Sequence, residues 1–171
     1  MQIKFALVSN DSGVIVRLVR RVFQLVVPLF LLLSTVAATA ASGRVVKVLP
    51  HFLDLAGRSS VSPSLYDRDA YQAELRAHPE KRSGIRFDVL WRARGEKKQK
   101  AKLRVELRGS AKGNVPTEKT IETEVTMTGI SHWADVKLDG EEYKKFGEVT
   151  AWRVTLWDGD QLLGEQKSFL W

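Results

Sequence analysis

The sequence predicts a mainly β fold, a single antiparallel β-sandwich that carries one α-helix and follows an N-terminal signal peptide. Three observations lead to this prediction. Apolar and polar residues alternate with a period of two in several segments, a strong turn dipeptide separates two of those segments, and one short segment has helical spacing instead. Strands of this kind bury one face and leave the other in water, as strands of antiparallel sheets commonly do.

The alternation is clearest in residues 85–91, 103–107 and 121–127. In each segment apolar side chains predominate in one phase, and charged or polar side chains predominate in the other. The apolar phases consist of Ile85, Phe87, Val89 and Trp91, then Leu103, Val105 and Leu107, then Ile121, Val125 and Met127. Residues 95–98 are predicted to form a hairpin connection between the first two segments, which would make those strands neighbours.

The C-terminal third contains the clearest hairpin. Residues 151–157 are rich in β-branched and aromatic side chains, and residues 162–171 follow as the partner strand. Asp158 and Gly159 between them predict a type I′ turn, because glycine adopts positive φ without steric cost.

One segment, about residues 64–77, has helical spacing. Ser64 and Asp67 match a capping box at its start, and Pro79 stops the helix. A second, shorter helical turn is predicted at residues 140–146. The packed face of the longer helix is predicted to consist of Tyr66, Ala70, Ala73 and Ala77, widened by Tyr71 and Leu75.

Two further strands are predicted at residues 44–49 and 132–138, which brings the total to about seven. That pattern resembles the immunoglobulin- or fibronectin-type β-sandwich over about residues 44–171. The resemblance is one of architecture only, because a chain without cysteine lacks the Cys…Trp…Cys spacing of true immunoglobulin domains. It implies a fold but no particular function.

The first 41 residues match a secretory signal peptide. Three arginines precede an uncharged apolar run at residues 22–33, and small residues follow up to the cleavage site predicted at Ala40 and Ala41. The predicted domains are therefore the signal peptide, residues 1–41, and the β-sandwich domain, residues 42–171. The segment before the arginines is long for a signal peptide, which a start codon downstream of Met1 would explain.

An alternative interpretation of residues 22–41 is an uncleaved anchor in the inner membrane. The apolar run is shorter than the roughly 20 residues that span a bilayer core, which favours cleavage. Either way the domain is predicted to be exported, to the periplasm or the extracellular medium. The absence of cysteine favours a bacterial cell envelope over a disulfide-rich secreted protein.

Positive charge is concentrated in one part of the chain. The first 41 residues carry four basic residues and one acidic residue, so the predicted mature chain is +4, compared with +7 for the whole chain. Residues 76–112 are strongly basic, and residues 113–171 are acidic. We expect one basic sheet face that binds an anionic partner, formed by Arg86, Arg92 and Arg94 together with Lys102, Arg104 and Arg108 on the neighbouring strand. A solvated face without a ligand is the alternative.

Tryptophan offers a second hypothesis. Sugar rings stack on exposed indole, and Trp157 shares a strand face with polar residues, so it is the candidate carbohydrate contact. The other tryptophans are expected mainly in the core.

The motifs for other chemistry are missing from the sequence. The three histidines lack metal-ligand spacing, no serine lies in a nucleophile elbow, and aromatic residues do not interleave with the basic ones as nucleic-acid platforms require. We therefore expect no catalytic residues, cofactor, metal or nucleic acid. The sequence predicts a non-enzymatic exported binding or assembly module of the bacterial cell envelope, whose partner is a protein or an anionic envelope polymer.

Overall fold

The computed structural model describes residues 41–95 and 99–171 of the 171-residue chain. All of them lie in the second of the chain's two units, Ala40–Trp171. The described residues form seven strands, two α-helices and one 3₁₀ turn. In chain order these are β1 (Ser42–Asp54), α1 (Leu65–Ala77), the 3₁₀ turn (Pro79–Lys81), β2 (Arg82–Arg94), β3 (Lys100–Ala111), β4 (Val115–Thr126), β5 (Ser131–Asp139), α2 (Gly140–Phe146), β6 (Glu148–Asp158) and β7 (Gln161–Lys167).

The seven strands form two antiparallel sheets. Sheet A contains β1, β2 and β5 in that order, and sheet B contains β4, β3, β6 and β7. Side chains from both sheets meet in one apolar cluster. The predicted mainly β, sandwich-like architecture is therefore confirmed.

The interior is built from the apolar phases that the alternation identifies. Phe87 and Val89 of sheet A and Leu103 and Val105 of sheet B are fully buried. Phe87 also meets the ring of Trp152 edge-on, with the two centroids 6.2 Å apart. Each such side chain contributes about 1.5–3 kcal/mol to the free energy of folding when it leaves water. The apolar face of each strand is therefore held towards the core. The opposite, charged phase of every strand consequently lies on one of two outer faces.

The hairpin predicted at residues 95–98 is wrong. β2 pairs with β1 and β5, whereas β3 pairs with β4 and β6, so the two strands belong to different sheets. The chain crosses from sheet A to sheet B between them, and residues 96–98 of that connection lie outside the described residues. Alternation identifies the two faces of a strand, but it carries no information about which strand lies beside it.

β6 and β7 form the predicted C-terminal hairpin. Asp158 pairs with Gln161, so the central turn residues are Gly159 and Asp160, one position later than predicted. Gly159 has a φ of +53°, and the φ of Asp160 is not positive. A type I′ turn requires positive φ at both central residues, so the predicted turn type is wrong. The strand β7 also ends earlier than predicted, at Lys167.

Helix α1 begins after Ser64 as predicted, but only half of the capping box forms. The Ser64 hydroxyl oxygen accepts a hydrogen bond from the backbone N–H of Asp67 at 3.5 Å. The Asp67 carboxylate instead accepts a hydrogen bond from the Ser62 hydroxyl at 2.7 Å. Helix α2 occupies the segment predicted for it.

The packed face of α1 differs from the prediction in its main stripe, although Leu75 is buried and Tyr71 half-buried as predicted. The buried residues of the helix are Gln72 and Leu75. The Gln72 amide exchanges two hydrogen bonds with the backbone of Phe52 on the free edge of β1, at 2.8 and 2.9 Å, and donates a third to the Ser59 carbonyl. A polar side chain thus directs the helix onto the sheet, and the predicted stripe is exposed; it consists of Tyr66, Ala70, Ala73 and Ala77.

Arg82 joins both sheets to helix α1. Its guanidinium group donates to the carbonyl oxygens of Leu75 and Arg76 in the last turn of the helix and lies 2.8 Å from the Glu148 carboxylate of β6. The same group lies 4.0 Å from the centroid of the Phe52 ring. A cation suits this position, because the carbonyl end of a helix carries partial negative charge. The side chain is 4% exposed, so these partners replace its water.

We predict that Arg82→Gln lowers the free energy of unfolding by about 2 kcal/mol, because hydrogen bonds to charged groups contribute about 1.5–3 kcal/mol. Urea denaturation would measure the loss. Arg76→Gln is the matched control, since the Arg76 side chain is exposed on helix α1, the helix that Arg82 contacts. Equal losses in the two variants would contradict a specific role for the Arg82 guanidinium.

Candidate functional site

The outer face of sheet B carries three of the six predicted basic residues, and each has an acidic partner. Lys102 and Arg104 lie 3.0 and 2.8 Å from the Glu122 carboxylate. Arg108 lies 3.4 Å from the carboxylate of Glu118. These are exposed pairs that contribute roughly 0–1 kcal/mol each to stability, but the two glutamates offset most of the positive charge of the three basic residues. The alternative of a solvated charged face fits sheet B.

Two tryptophans on this face are covered by arginine side chains. The Arg104 guanidinium lies 5.5 Å from the ring centroid of Trp157. Arg108 and Arg153 lie 4.3 and 4.9 Å from the ring centroid of Trp171. Such cation–π contacts occupy the ring faces that a sugar would need. Trp157, the predicted carbohydrate contact, is half-buried rather than openly presented.

The outer face of sheet A has a different composition. The strand register arranges its side chains in rows that cross β1, β2 and β5. The apolar residues in these rows, Leu49, Leu90 and Trp133, lie in the two middle rows. From the end nearer helix α1, the rows are His51–Arg86–Lys137, Leu49–Asp88–Asp135, Lys47–Leu90–Trp133 and Arg44–Arg92–Ser131.

At the end of this face nearer helix α1, Arg86 forms an ion pair with Asp88. Its Nε lies 2.8 Å from an oxygen of Asp88. His51 Nε2 lies 3.5 Å from the other oxygen of Asp88 and makes no hydrogen bond within the described residues. Burial lowers the pKa of His51, and the positive charges of Arg86 and Arg68 reinforce this against the attraction of Asp88. His51 is therefore neutral at neutral pH, and the group adds no free positive charge.

Three arginines converge at the opposite end of the face. Arg44, Arg92 and Arg94 line a shallow recess of about 280 Å³ with Ser42 and Gly43, which we call the arginine recess. Arg44 lies directly opposite Arg92 across the strand pair. No ion pair joins any of the three arginines to a carboxylate within the described residues, although Arg92 Nε donates to the Gly129 carbonyl at 2.7 Å. Among the described residues, the recess thus concentrates positive charge that no carboxylate pairs with.

The prediction that all six basic residues form one surface is wrong. Arg86, Arg92 and Arg94 lie on the outer face of sheet A, and the other three lie on the outer face of sheet B, with the core between them. The error follows from the predicted hairpin, which made β2 and β3 neighbours. On sheet A the structure brings Arg92 and Arg94 together and adds Arg44 from β1.

A groove of about 450 Å³ lies on the same face of sheet A, beside helix α1. We call it the tryptophan groove; it is lined by Leu49, Leu65, Arg68, Asp88, Trp133, Ala134 and Asp135. Trp133 is 55% exposed and Leu65 is 72% exposed. An apolar floor with a few charged groups at its margins is the usual composition of a small-ligand site.

Helix α1 forms one wall of this groove and is fixed by Asp54 at the end of β1. The Asp54 carboxylate accepts hydrogen bonds from the Tyr71 hydroxyl at 2.7 Å, from the Arg58 side chain, and from the backbone N–H groups of Ala56 and Arg58. Burial opposes ionisation of Asp54, but these hydrogen bonds prevail and hold its pKa at about 2. The buried carboxylate is therefore a fixed anchor between strand, loop and helix.

Sequence reasoning missed Arg44 and Trp133. Trp133 shares its phase with Asp135 and Lys137, the polar phase of β5, and this signal of exposure is present in the sequence. Arg44 has no comparable signal. It belongs to the site because the register sets it opposite Arg92, and register between distant strands is a tertiary property.

The described residues contain no cluster of three or more potential metal ligands. Neither helix within residues 41–95 and 99–171 has the length and apolar character needed to span a membrane. Residues 1–40 of the predicted signal peptide, including Ala40, lie outside the described residues. Ala41 is described and packs in the core cluster.

Comparison with known proteins identifies no relative: no protein-family model, curated protein or solved structure matches this chain.

We predict that Asp54→Asn destabilises the protein by about 2 kcal/mol at neutral pH. The folded pKa of Asp54, about 2, lies below the ordinary value of 3.8. The stabilisation is therefore complete above pH 3.8 and disappears as the pH falls towards 2. Urea denaturation across this range would measure it. Asp160→Asn, in an exposed turn, is the control, and a loss that is independent of pH would contradict the prediction.

We also predict that Trp133→Phe lowers the acrylamide quenching of tryptophan fluorescence more than any other single tryptophan replacement. Collisional quenching requires contact with the ring, and Trp133 is 55% exposed. Trp91→Phe is the control, because Trp91 is 3% exposed. Equal changes in the two variants would mean that Trp133 is covered in solution.

Proposed function

We propose that this chain is a non-enzymatic, exported binding module of the bacterial cell envelope that contacts an anionic macromolecule through the arginine recess. The observation that carries the proposal is the direct opposition of Arg44 and Arg92, with Arg94 beside them and no carboxylate among the recess-lining residues. Like charges directly opposite in a sheet are destabilising. A local conflict of this kind, left uncompensated, is typical of a functional site.

The chemistry of arginine supports an anionic ligand. A guanidinium group is permanently charged and donates paired hydrogen bonds to carboxylate, phosphate or sulfate groups. Arg94 is exposed and Arg92 is half-buried, so both are within reach of a surface ligand. The recess is shallow, which suits a polymer that lies across the face better than an enclosed small molecule.

The arrangement of strands supports a fibronectin-type sandwich as the finer description of the fold. The first, second and fifth strands form one sheet, and the fourth strand lies beside the third in the other. In immunoglobulin constant domains the fourth strand belongs to the first sheet instead. Domains of both kinds are common binding modules, but the fold alone does not specify a ligand.

Export rests on the sequence pattern of residues 1–41. It would bring the arginine recess to the anionic polymers of the envelope, whose sugars, lipids and phosphates carry the negative charge. A partner protein with an acidic surface is the other occupant that this charge would accept. The proposed carbohydrate contact at Trp157 has less support, because Arg104 covers its ring and its N–H donates to Thr155 at 2.8 Å.

We predict that the double variant Arg44→Gln/Arg94→Gln binds inorganic polyphosphate at least about tenfold more weakly than the parent protein at low ionic strength. Binding would be measured by calorimetric titration of the protein expressed from the full chain. The parent affinity should fall steeply as salt is added, because exposed charges are screened within about 10 Å at 0.1 M salt.

Lys102→Gln/Arg108→Gln is the matched control. It removes the same charge from the outer face of sheet B, where both residues are already paired with glutamates. We expect it to retain most of the affinity. If both double variants lose affinity equally, the binding reports net charge and the arginine recess is not a site.

A further inference from the structure

We infer that the anionic partner is an acidic polysaccharide, whose acidic groups bind in the arginine recess while an adjoining sugar ring stacks on Trp133. This inference rests on the proposed function and extends it from a charge to a chemical class. It joins two features of sheet A, the arginine recess and the tryptophan groove, into one continuous surface.

The two features occupy neighbouring rows of the same sheet face. Ser131 of β5 lies opposite Arg92, and Trp133 is two residues further along the same strand. Successive residues on one face of a strand are about 7 Å apart and neighbouring strands about 4.8 Å, so the Cα atoms of Trp133 and Arg92 are about 8 Å apart. That span is comparable with the length of a disaccharide.

Trp133 provides a stacking surface. Among the five tryptophans it is the one that is more than half exposed. The C–H groups on one face of a sugar ring carry partial positive charge and pack against the negative face of an indole. Leu90 lies opposite Trp133 in the register, and Leu49 lines the tryptophan groove together with Trp133, so the apolar surface extends beyond the indole ring.

The margins of the groove favour a saccharide over an acidic peptide. Asp88 and Asp135 line it together with Arg68. Each carboxylate has several acceptor positions, so Asp88 can accept hydroxyl donors while it remains paired with Arg86. The side-chain carboxylates of an acidic peptide only accept hydrogen bonds and cannot pair with these two carboxylates, whereas the hydroxyl groups of a sugar can donate to them.

Binding of oligogalacturonate and of poly-L-glutamate of similar charge tests the inference. Both polymers carry carboxylates, and only the first has sugar rings. We expect Trp133→Ala to weaken oligogalacturonate binding about tenfold and to leave poly-L-glutamate binding unchanged. Trp133→Phe, which keeps an aromatic ring, should lose less. Trp157→Ala on sheet B is the matched control and should change neither affinity.

The failures of the two proposals are distinguishable. If Trp133→Ala leaves oligogalacturonate binding unchanged, or weakens both polymers equally, the saccharide inference is overturned. The arginine recess then still stands, provided that Arg44→Gln/Arg94→Gln weakens both polymers. If that double variant changes neither affinity, the proposed function fails, and the saccharide inference fails with it.

Discussion

The core between the two sheets constrains the rest of the structure. Every strand must give one face to that core, because the buried side chains of residues such as Phe87 and Leu103 supply the main favourable free energy of folding. All the charges on a strand are then confined to its other face. Which charges become neighbours therefore depends on sheet membership and register, and the electrostatic character of each outer face follows from the way the core is assembled.

The two outer faces use positive charge in opposite ways. On sheet B, basic residues of β3 face glutamates of β4, so that Arg104 and Lys102 share Glu122. On sheet A, Arg44 and Arg92 face each other. In the first arrangement glutamates offset most of the positive charge. In the second, like charges lie directly opposite one another, an arrangement that is generally unfavourable in a sheet, and we therefore propose the arginine recess as the binding site.

Several polar contacts attach helix α1 to sheet A, in addition to the burial of Leu75. Gln72 satisfies the free edge of β1, Asp54 holds Tyr71, and Arg82 caps the last turn of the helix. Buried groups of this kind are costly to leave unpaired, so they specify one position for the helix. That position gives the tryptophan groove its wall, and it leaves the row of Leu90 and Trp133 uncovered between the helix and the arginine recess.

The sequence by itself determined the strands, both helices, the C-terminal hairpin and the two faces of each strand, because alternation and capping are local properties. It also held the signal that Trp133 lies on a polar face. The tertiary structure alone decided that β2 and β3 belong to different sheets and that Arg44 lies opposite Arg92. It also decided that Gln72, and not the alanine stripe of helix α1, packs against sheet A. These outcomes depend on pairing between residues distant in the chain, and periodicity within a strand does not encode its neighbour.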